Sequence, residues 1–162
     1  MGFSRRIQNH PRMLAVGYRA NHWIAMKLRF LIRLLGAERL ARWLYAPEEF
    51  SKRRLFDCRM CGQCILHSTG MTCPMTCPKN LRNGPCGGVR ANGHCEVKPE
   101  MRCTWVDAYD RSQMMTTYKD ELHIVQPPVD RRLLKSSSWV NLMTGADKIE
   151  VAGWDDSPEA EA

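Results

Sequence analysis

Residues 58–103 read CRMCGQCILHSTGMTCPMTCPKNLRNGPCGGVRANGHCEVKPEMRC and hold all eight cysteines of the 162-residue chain. The stretch opens with a C-x2-C-x2-C triplet, a spacing that lets three thiolates bind one iron–sulfur cube. Two later cysteines each precede a proline, as the last cysteine of a bacterial ferredoxin run does. Eight thiolates are enough for two four-cysteine sites. The pattern therefore predicts a metal-binding module whose ligands are Cys58, Cys61, Cys64, Cys73, Cys77, Cys86, Cys95 and Cys103.

Disulfide bonds and zinc sites are the competing uses of these cysteines. The basic N-terminal segment is not followed by the apolar core and cleavage site of a signal peptide, so we expect a reducing compartment in which thiols are kept for metals. Zinc sites usually consist of two separated C-x2-C pairs, whereas here one triplet is followed by widely spaced single cysteines. The spacing favours one or two [4Fe–4S] clusters and leaves zinc open at one site. His67 and His94 are alternative ligands at a zinc or mixed site.

The division of the cysteines between two sites is open at this stage. We group the first three with one of the two Cys-Pro cysteines, Cys73 or Cys77, and assign the other to the second site with the last three. Basic residues interleave with the thiolates, which suits a centre that carries net negative charge; they are Arg59, Lys79, Arg82, Arg90 and Arg102. Because residues 57–105 contain few aliphatic side chains, we expect bound metal to replace a hydrophobic core there.

The basic charge of the chain lies before the cysteines. Residues 1–57 contain twelve Lys and Arg against four Asp and Glu, whereas residues 58–162 contain twelve against thirteen. Nucleic acid, an anionic membrane or an acidic partner protein could each meet such a basic arm. Aromatic residues for base stacking are scarce among the cysteines, so nucleic acid is the disfavoured partner. Peripheral contact with a membrane stays open.

The basic arm has the periodicity of amphipathic helices. Apolar residues recur at helical spacing on one face: Ile24, Leu28, Leu31 and Leu35. We expect a helix from about residue 11, a break at Gly36 and a second short helix that ends near Pro47. Charged residues interrupt every apolar run well before the ~20 residues that a transmembrane helix needs. The arm is therefore not expected to span a membrane.

These patterns predict an α-plus-irregular fold in which amphipathic helices precede a loop-dominated metal-cluster module with little regular β structure. The expected segments are a flexible N-terminus at 1–10, a basic helical arm at 11–56, a cysteine-rich module at 57–146 and an acidic disordered tail at 147–162. Within the module we expect a helix over 106–122, followed by an extended C-terminal strap over 127–141.

Longer motifs carry a family resemblance. The segments CRMCGQC, MTCPMTCPKNLRNGPCGG, GHCEV and MRCTW, followed by PPVD and SSSWVN, resemble the methylenetetrahydrofolate reductase C-terminal domain family over roughly residues 56–145. This family includes a small iron–sulfur and zinc subunit that pairs with a flavin-bearing catalytic barrel. The resemblance implies that all eight cysteines are metal ligands. It also implies a family signature of unknown role, made of Ser137, Ser138, Trp139 and Asn141.

No catalytic motif accompanies the cysteines. The sequence lacks a dinucleotide-binding fingerprint, a Walker motif and the repeat that a (β/α)8 barrel requires. The resemblance therefore implies a non-catalytic accessory subunit that relays electrons from an unknown donor to the flavin of a methylenetetrahydrofolate reductase catalytic subunit. The alternative is a structural zinc or cluster module that acts as a non-redox interaction subunit of the same reductase. We expect a cytoplasmic location, with membrane association through the arm as an option.

Overall fold

The computed structural model describes residues 7–84 and 86–149, and these residues are mostly helical. The five α-helices are α1 (Pro11–Lys27), α2 (Phe30–Leu35), α3 (Ala37–Phe56), α4 (Thr104–Met114) and α5 (Ser138–Thr144). Short 3₁₀ turns lie at Leu66–Thr69, Pro74–Thr76, Lys119–His123, Arg131–Leu133 and Ala146–Lys148. Over the described residues, β pairing is limited to two isolated bridges. The predicted mixture of helices and irregular loops is confirmed. Of the predicted flexible N-terminus at 1–10 and the predicted acidic tail at 147–162, residues 1–6 and 150–162 lie outside the described residues.

The helical arm differs from the prediction in two places. A break at Leu28 and Arg29, which neither proline nor glycine marks, separates α1 from α2. The predicted break at Gly36 is present, with φ at 78°. The predicted end near Pro47 is wrong, because α3 continues through this proline to Phe56. Proline removes the hydrogen bond to the carbonyl four residues earlier, but here that carbonyl belongs to the exposed Trp43, where water can replace the partner.

The second half of the module differs from the prediction in two places. α4 ends at Met114, and Tyr118, with φ at 68°, begins a separate 3₁₀ turn, so the single helix predicted over 106–122 is wrong. The extended strap is wrong in its second half, since α5 begins at Ser138. The N-cap residue of α5 is Ser137, whose hydroxyl accepts a hydrogen bond from the Val140 N–H and so stabilises the first helical turn.

Three small apolar clusters hold these elements together. One joins α1 to the first cysteine loop through Ala15, Leu66 and Met71. Another packs α1, α2, α3 and α5 through Ala25, Leu40, Val140 and Met143. The last places Trp105 of α4 against two cysteines. Helices from both ends of the chain therefore enclose the cysteine loops. None of the helices within the described residues combines the length and the apolar character needed to cross a bilayer.

Candidate metal centre

Four cysteines meet where the first loop folds against α3. Cys58, Cys61, Cys64 and Cys73 line one small cavity, together with Lys52 of α3. The pKa of Cys58 is lowered to about 6, mainly by its hydrogen bond with Cys73. Burial opposes this shift, whereas a hydrogen bond from the Met60 N–H, at 3.3 Å from the sulfur, lowers the pKa further. The shift favours the thiolate of Cys58, the form that binds metals, and the same hydrogen bond raises the pKa of its partner Cys73. The structure brings the predicted triplet together with Cys73 rather than Cys77.

Two buried cationic side chains face these sulfurs. Burial lowers the pKa of Arg82, and Cys61 and Cys64 oppose that shift. The Nε atom of Arg82 is buried and has no hydrogen-bond partner among the described residues. For Lys52, burial would lower the pKa, but Cys64 and Glu48 outweigh it and the net pKa is raised. The Lys52 ammonium is therefore held charged beside the thiols, and the Arg82 guanidinium, which does not lose its proton in proteins, adds a second positive charge. Both charges suit an anionic group at this position.

Lys52 is part of a polar platform that connects α3 to α5. Its Nζ lies 2.6 Å from the Glu48 carboxylate and also donates to the Ser138 hydroxyl, while its ammonium lies 5.4 Å from the centre of the Trp139 ring. Glu48 is fully buried and accepts hydrogen bonds from the Ser137 and Ser138 hydroxyls and from the Ser138 N–H. Since every charge in the platform is paired, it can remain buried.

Asn141 connects the polar platform to the first cysteine loop. Its side-chain amide donates to the Gly62 carbonyl at 2.9 Å and to the Ser136 hydroxyl at 2.6 Å. Gly62 adopts a φ of 78°, and a Cβ there would overlap the Leu133 carbonyl. The four residues of the SSSWVN signature therefore have a structural role in this chain: they fix α3 and the first cysteine loop against each other.

The remaining four cysteines lie in two pairs on and beside a second loop, one pair against Trp105 and the other near Lys79. Cys77 and Cys103 are buried against Trp105. The antiparallel bridge between Val89 and Cys95, and the hydrogen bond from Cys103 N–H to Gly93 O at 3.0 Å, fold residues 88–103 back on themselves. The Gly88 N–H points at the sulfur of Cys86, 3.4 Å away. The ion pair with Glu96 raises the pKa of Lys79, and Cys86 and Cys95 add to this effect, so both thiols lie near its ammonium.

The donor chemistry fits iron–sulfur centres. The first group offers four thiols beside two buried cations, and the Nε atom of Arg82 has no hydrogen-bond partner among the described residues. The Glu48 carboxylate also lines this cavity, but Lys52, Ser137 and Ser138 already hold it. Within the described parts of the chain, however, no three histidine, cysteine or acidic side chains converge tightly enough to hold a single metal ion. A tetrahedral zinc site needs such convergence because Zn–S bonds are about 2.3 Å long, whereas a cube binds its thiolates at four separate corners. The metal and its identity remain predictions.

The alternative histidine ligands have other partners. His67 Nδ1 bonds the Glu121 carboxylate, and its ring packs near Tyr18 and Tyr118. His94 Nδ1 lies 2.7 Å from the Pro99 carbonyl oxygen.

The sequence analysis did not identify Glu48 and Lys52 as site residues, because an i,i+4 Glu–Lys pair usually marks an exposed helix face. The apolar residues that flank them in the sequence, Leu44, Leu55 and Phe56, were the available signal that this face packs inward.

Comparison with protein families gives one match to this chain. The model of the family described as methylene-tetrahydrofolate reductase C terminal matches residues 38–132. The match starts within α3, so it includes Glu48 and Lys52 as well as all eight cysteines, and it ends before the SSSWVN segment. No curated protein and no solved structure matches the chain. Because the family match covers more than half of its residues, the chain belongs to the methylene-tetrahydrofolate reductase C-terminal family.

Proposed function

We propose that the chain is an accessory, non-catalytic subunit through which electrons reach the flavin of a separate methylenetetrahydrofolate reductase catalytic subunit. The observation that carries this proposal is the single cavity that Cys58, Cys61, Cys64 and Cys73 line together, beside the buried cations Lys52 and Arg82. Family membership supports the link to the reductase. The flavin partner and the electron donor come from the resemblance described above and are part of the proposal.

In this proposal, Cys58, Cys61, Cys64 and Cys73 hold one [4Fe–4S] group, and Cys77, Cys86, Cys95 and Cys103 hold a second centre, which is either another such group or zinc. When bound, an iron–sulfur group supplies reversible one-electron transfer. Lys52 and Arg82 offset the negative charge of the first set of thiolates. Met71, which is fully buried in the cluster that contains Cys73, excludes water from that side. The Glu48 platform and Asn141 keep the ligand loop in place.

Metal analysis of the protein purified without oxygen tests the proposal. We expect about eight iron and eight sulfide per chain if both centres are cubes, with a visible band that dithionite bleaches. Replacing Cys64 by Ser should remove only the first centre, and replacing Cys95 by Ser only the second. Met75→Leu is the control, because Met75 is a partly buried neighbour of Cys73 that supplies no thiolate.

Two results would contradict the proposal. A colourless protein that contains only zinc would identify a structural interaction subunit instead. Loss of both centres in each single cysteine variant would contradict the division into two groups. A further test adds the dithionite-reduced protein to the flavin-bearing reductase and follows flavin bleaching. The wild-type chain should accelerate bleaching and the Cys64→Ser variant should not.

A further inference from the structure

A cavity of about 390 Å³ lies between α1, α3 and α5, where it borders both the polar platform, through Lys52 and Ser138, and the first cysteine group. Cys64 forms part of its wall. Three aromatic side chains, Tyr18, Phe56 and Trp139, also line it. Its polar lining comes from Asn21, His22 and Asp147, and from Ser51, Lys52 and Ser138. An apolar space with a few hydrogen-bonding groups is typical of a small-molecule site.

An apolar groove of about 430 Å³ adjoins this cavity. The two spaces share Gly17, Asn21 and Trp139. From there the groove follows α1 and α2 past aliphatic side chains, namely Ile24, Ala25, Leu28, Leu31, Leu40, Leu44 and Met143. The combined cleft therefore suits a ligand with a ring at one end and a branched hydrocarbon chain at the other.

The charges in the cavity favour a neutral ring. The Lys52 ammonium also lines this cavity, but Glu48 and Ser138 hold it and its charge faces the first cysteine group, so an acidic headgroup would compete with these partners. The Oδ1 atom of Asp147 is buried without a hydrogen-bond partner among the described residues and would repel a carboxylate or a phosphate. Fatty acids and phosphate-bearing cofactors are therefore poor occupants. Tyr18, Asn21 and His22 can donate hydrogen bonds to the carbonyl oxygens of a ring.

The outer face of the same helices has side chains suited to contact with a membrane, and a lipid-like ligand would come from that membrane. Trp23, Phe30 and Trp43 are 63%, 54% and 68% exposed. Basic residues alternate with these aromatic side chains along α1, α2 and α3: Arg19, Lys27, Arg29, Arg33, Arg39 and Arg42. Aromatic and basic side chains of this kind favour the headgroup region of an anionic bilayer.

We propose that this cleft binds a prenylated quinone, with the ring in the cavity beside Cys64 and the prenyl chain in the groove along α1 and α2. The choice of a redox-active ring rests on the proposed function, because Cys64 would then belong to an electron-transfer centre. The binding itself depends only on the shape and polarity of the cleft. Binding and metal content can therefore be measured independently.

The test titrates a fully substituted benzoquinone that carries one isoprene unit into the full-length, oxidised protein without oxygen, using calorimetry. A fully substituted ring has no free position for the Michael addition of a thiol. Gly17 lies where the cavity meets the groove, and a Cβ there would meet no atom within 4 Å. Gly17→Trp should fill the junction without disturbing the fold and weaken binding at least about tenfold, whereas the matched Gly17→Ala variant should bind like wild type. Leu28→Glu, at a 40% exposed groove position, should weaken the prenylated ring but not the ring without its tail.

The outcomes separate this proposal from the proposed function. Saturable one-to-one binding that Gly17→Trp reduces and Gly17→Ala retains supports the quinone site, whether or not the preparation contains iron. Absence of binding by protein with a full complement of iron and sulfide overturns the quinone site and leaves the proposed function standing. Equal binding by wild type, Gly17→Trp and Leu28→Glu also overturns it, since the ligand would then lie elsewhere.

Discussion

Among single residues, Glu48 and Lys52 form a buried ion pair that holds α3 beside the first cysteine group. We expect Glu48→Gln to lower the free energy of unfolding by about 3–5 kcal/mol, because it leaves the Lys52 ammonium buried without its counter-charge. The matched control is Glu49→Gln, which breaks the exposed i,i+4 pair with Arg53 and should cost less than about 1 kcal/mol. Denaturant unfolding of the three proteins measures the difference. Equal losses in the two variants would contradict the buried role of Glu48.

Gly62 provides a second prediction at this scale. A side chain at its φ of 78° is strained, and a Cβ would also overlap the Leu133 carbonyl. Gly62→Ala should therefore cost at least about 2 kcal/mol of stability and release metal from the first cysteine group. Gly17→Ala is the control, because a Cβ at this helical position meets open space and should be neutral or stabilise α1 by up to about 1 kcal/mol. Unchanged stability and metal content in Gly62→Ala would refute the strain argument.

At the scale of elements, Pro47 within α3 leads to a prediction of increased, not decreased, stability. Proline inside a helix loses one hydrogen bond and crowds the preceding turn, and Pro47 lies on an exposed part of α3. Pro47→Ala should therefore raise the free energy of unfolding by about 1–3 kcal/mol. The thermal midpoint of unfolding gives the measurement. A lower midpoint would contradict this prediction.

Element boundaries also show what could be read from the sequence. The break at Gly36 and the irregular character of the cysteine stretch were predictable, because glycine at positive φ and a scarcity of aliphatic residues are local signals. The passage of α3 through Pro47 was not, since it depends on burial of Glu48 against Ser137 and Ser138, about 90 residues later. The cysteines were predicted as a set from local spacing. The choice of Cys73 over Cys77 required the path of the whole loop.

At the scale of the whole molecule, Arg111 joins three distant segments. Its guanidinium is 5% exposed and donates to Gln8 and to Thr72, each at 2.8 Å, while Gln8 in turn donates to the Leu55 carbonyl. Arg111→Met should cost about 2–4 kcal/mol, because the polar partners of the lost guanidinium would stay buried. Arg53→Met, at a largely exposed position, is the control and should cost little. Denaturant unfolding would contradict the prediction if both variants lost the same amount.

The long-range contact between α3 and α5 has a consequence for the order of events during synthesis. Glu48 leaves the ribosome about 90 residues before Ser137 and Ser138, its hydrogen-bond partners. Until those serines emerge, the nascent chain carries a carboxylate that cannot be buried and a cysteine loop that nothing clamps. We therefore expect the first centre to be filled after translation has passed residue 141, so delivery of iron and sulfide to this chain would be a late, post-translational step.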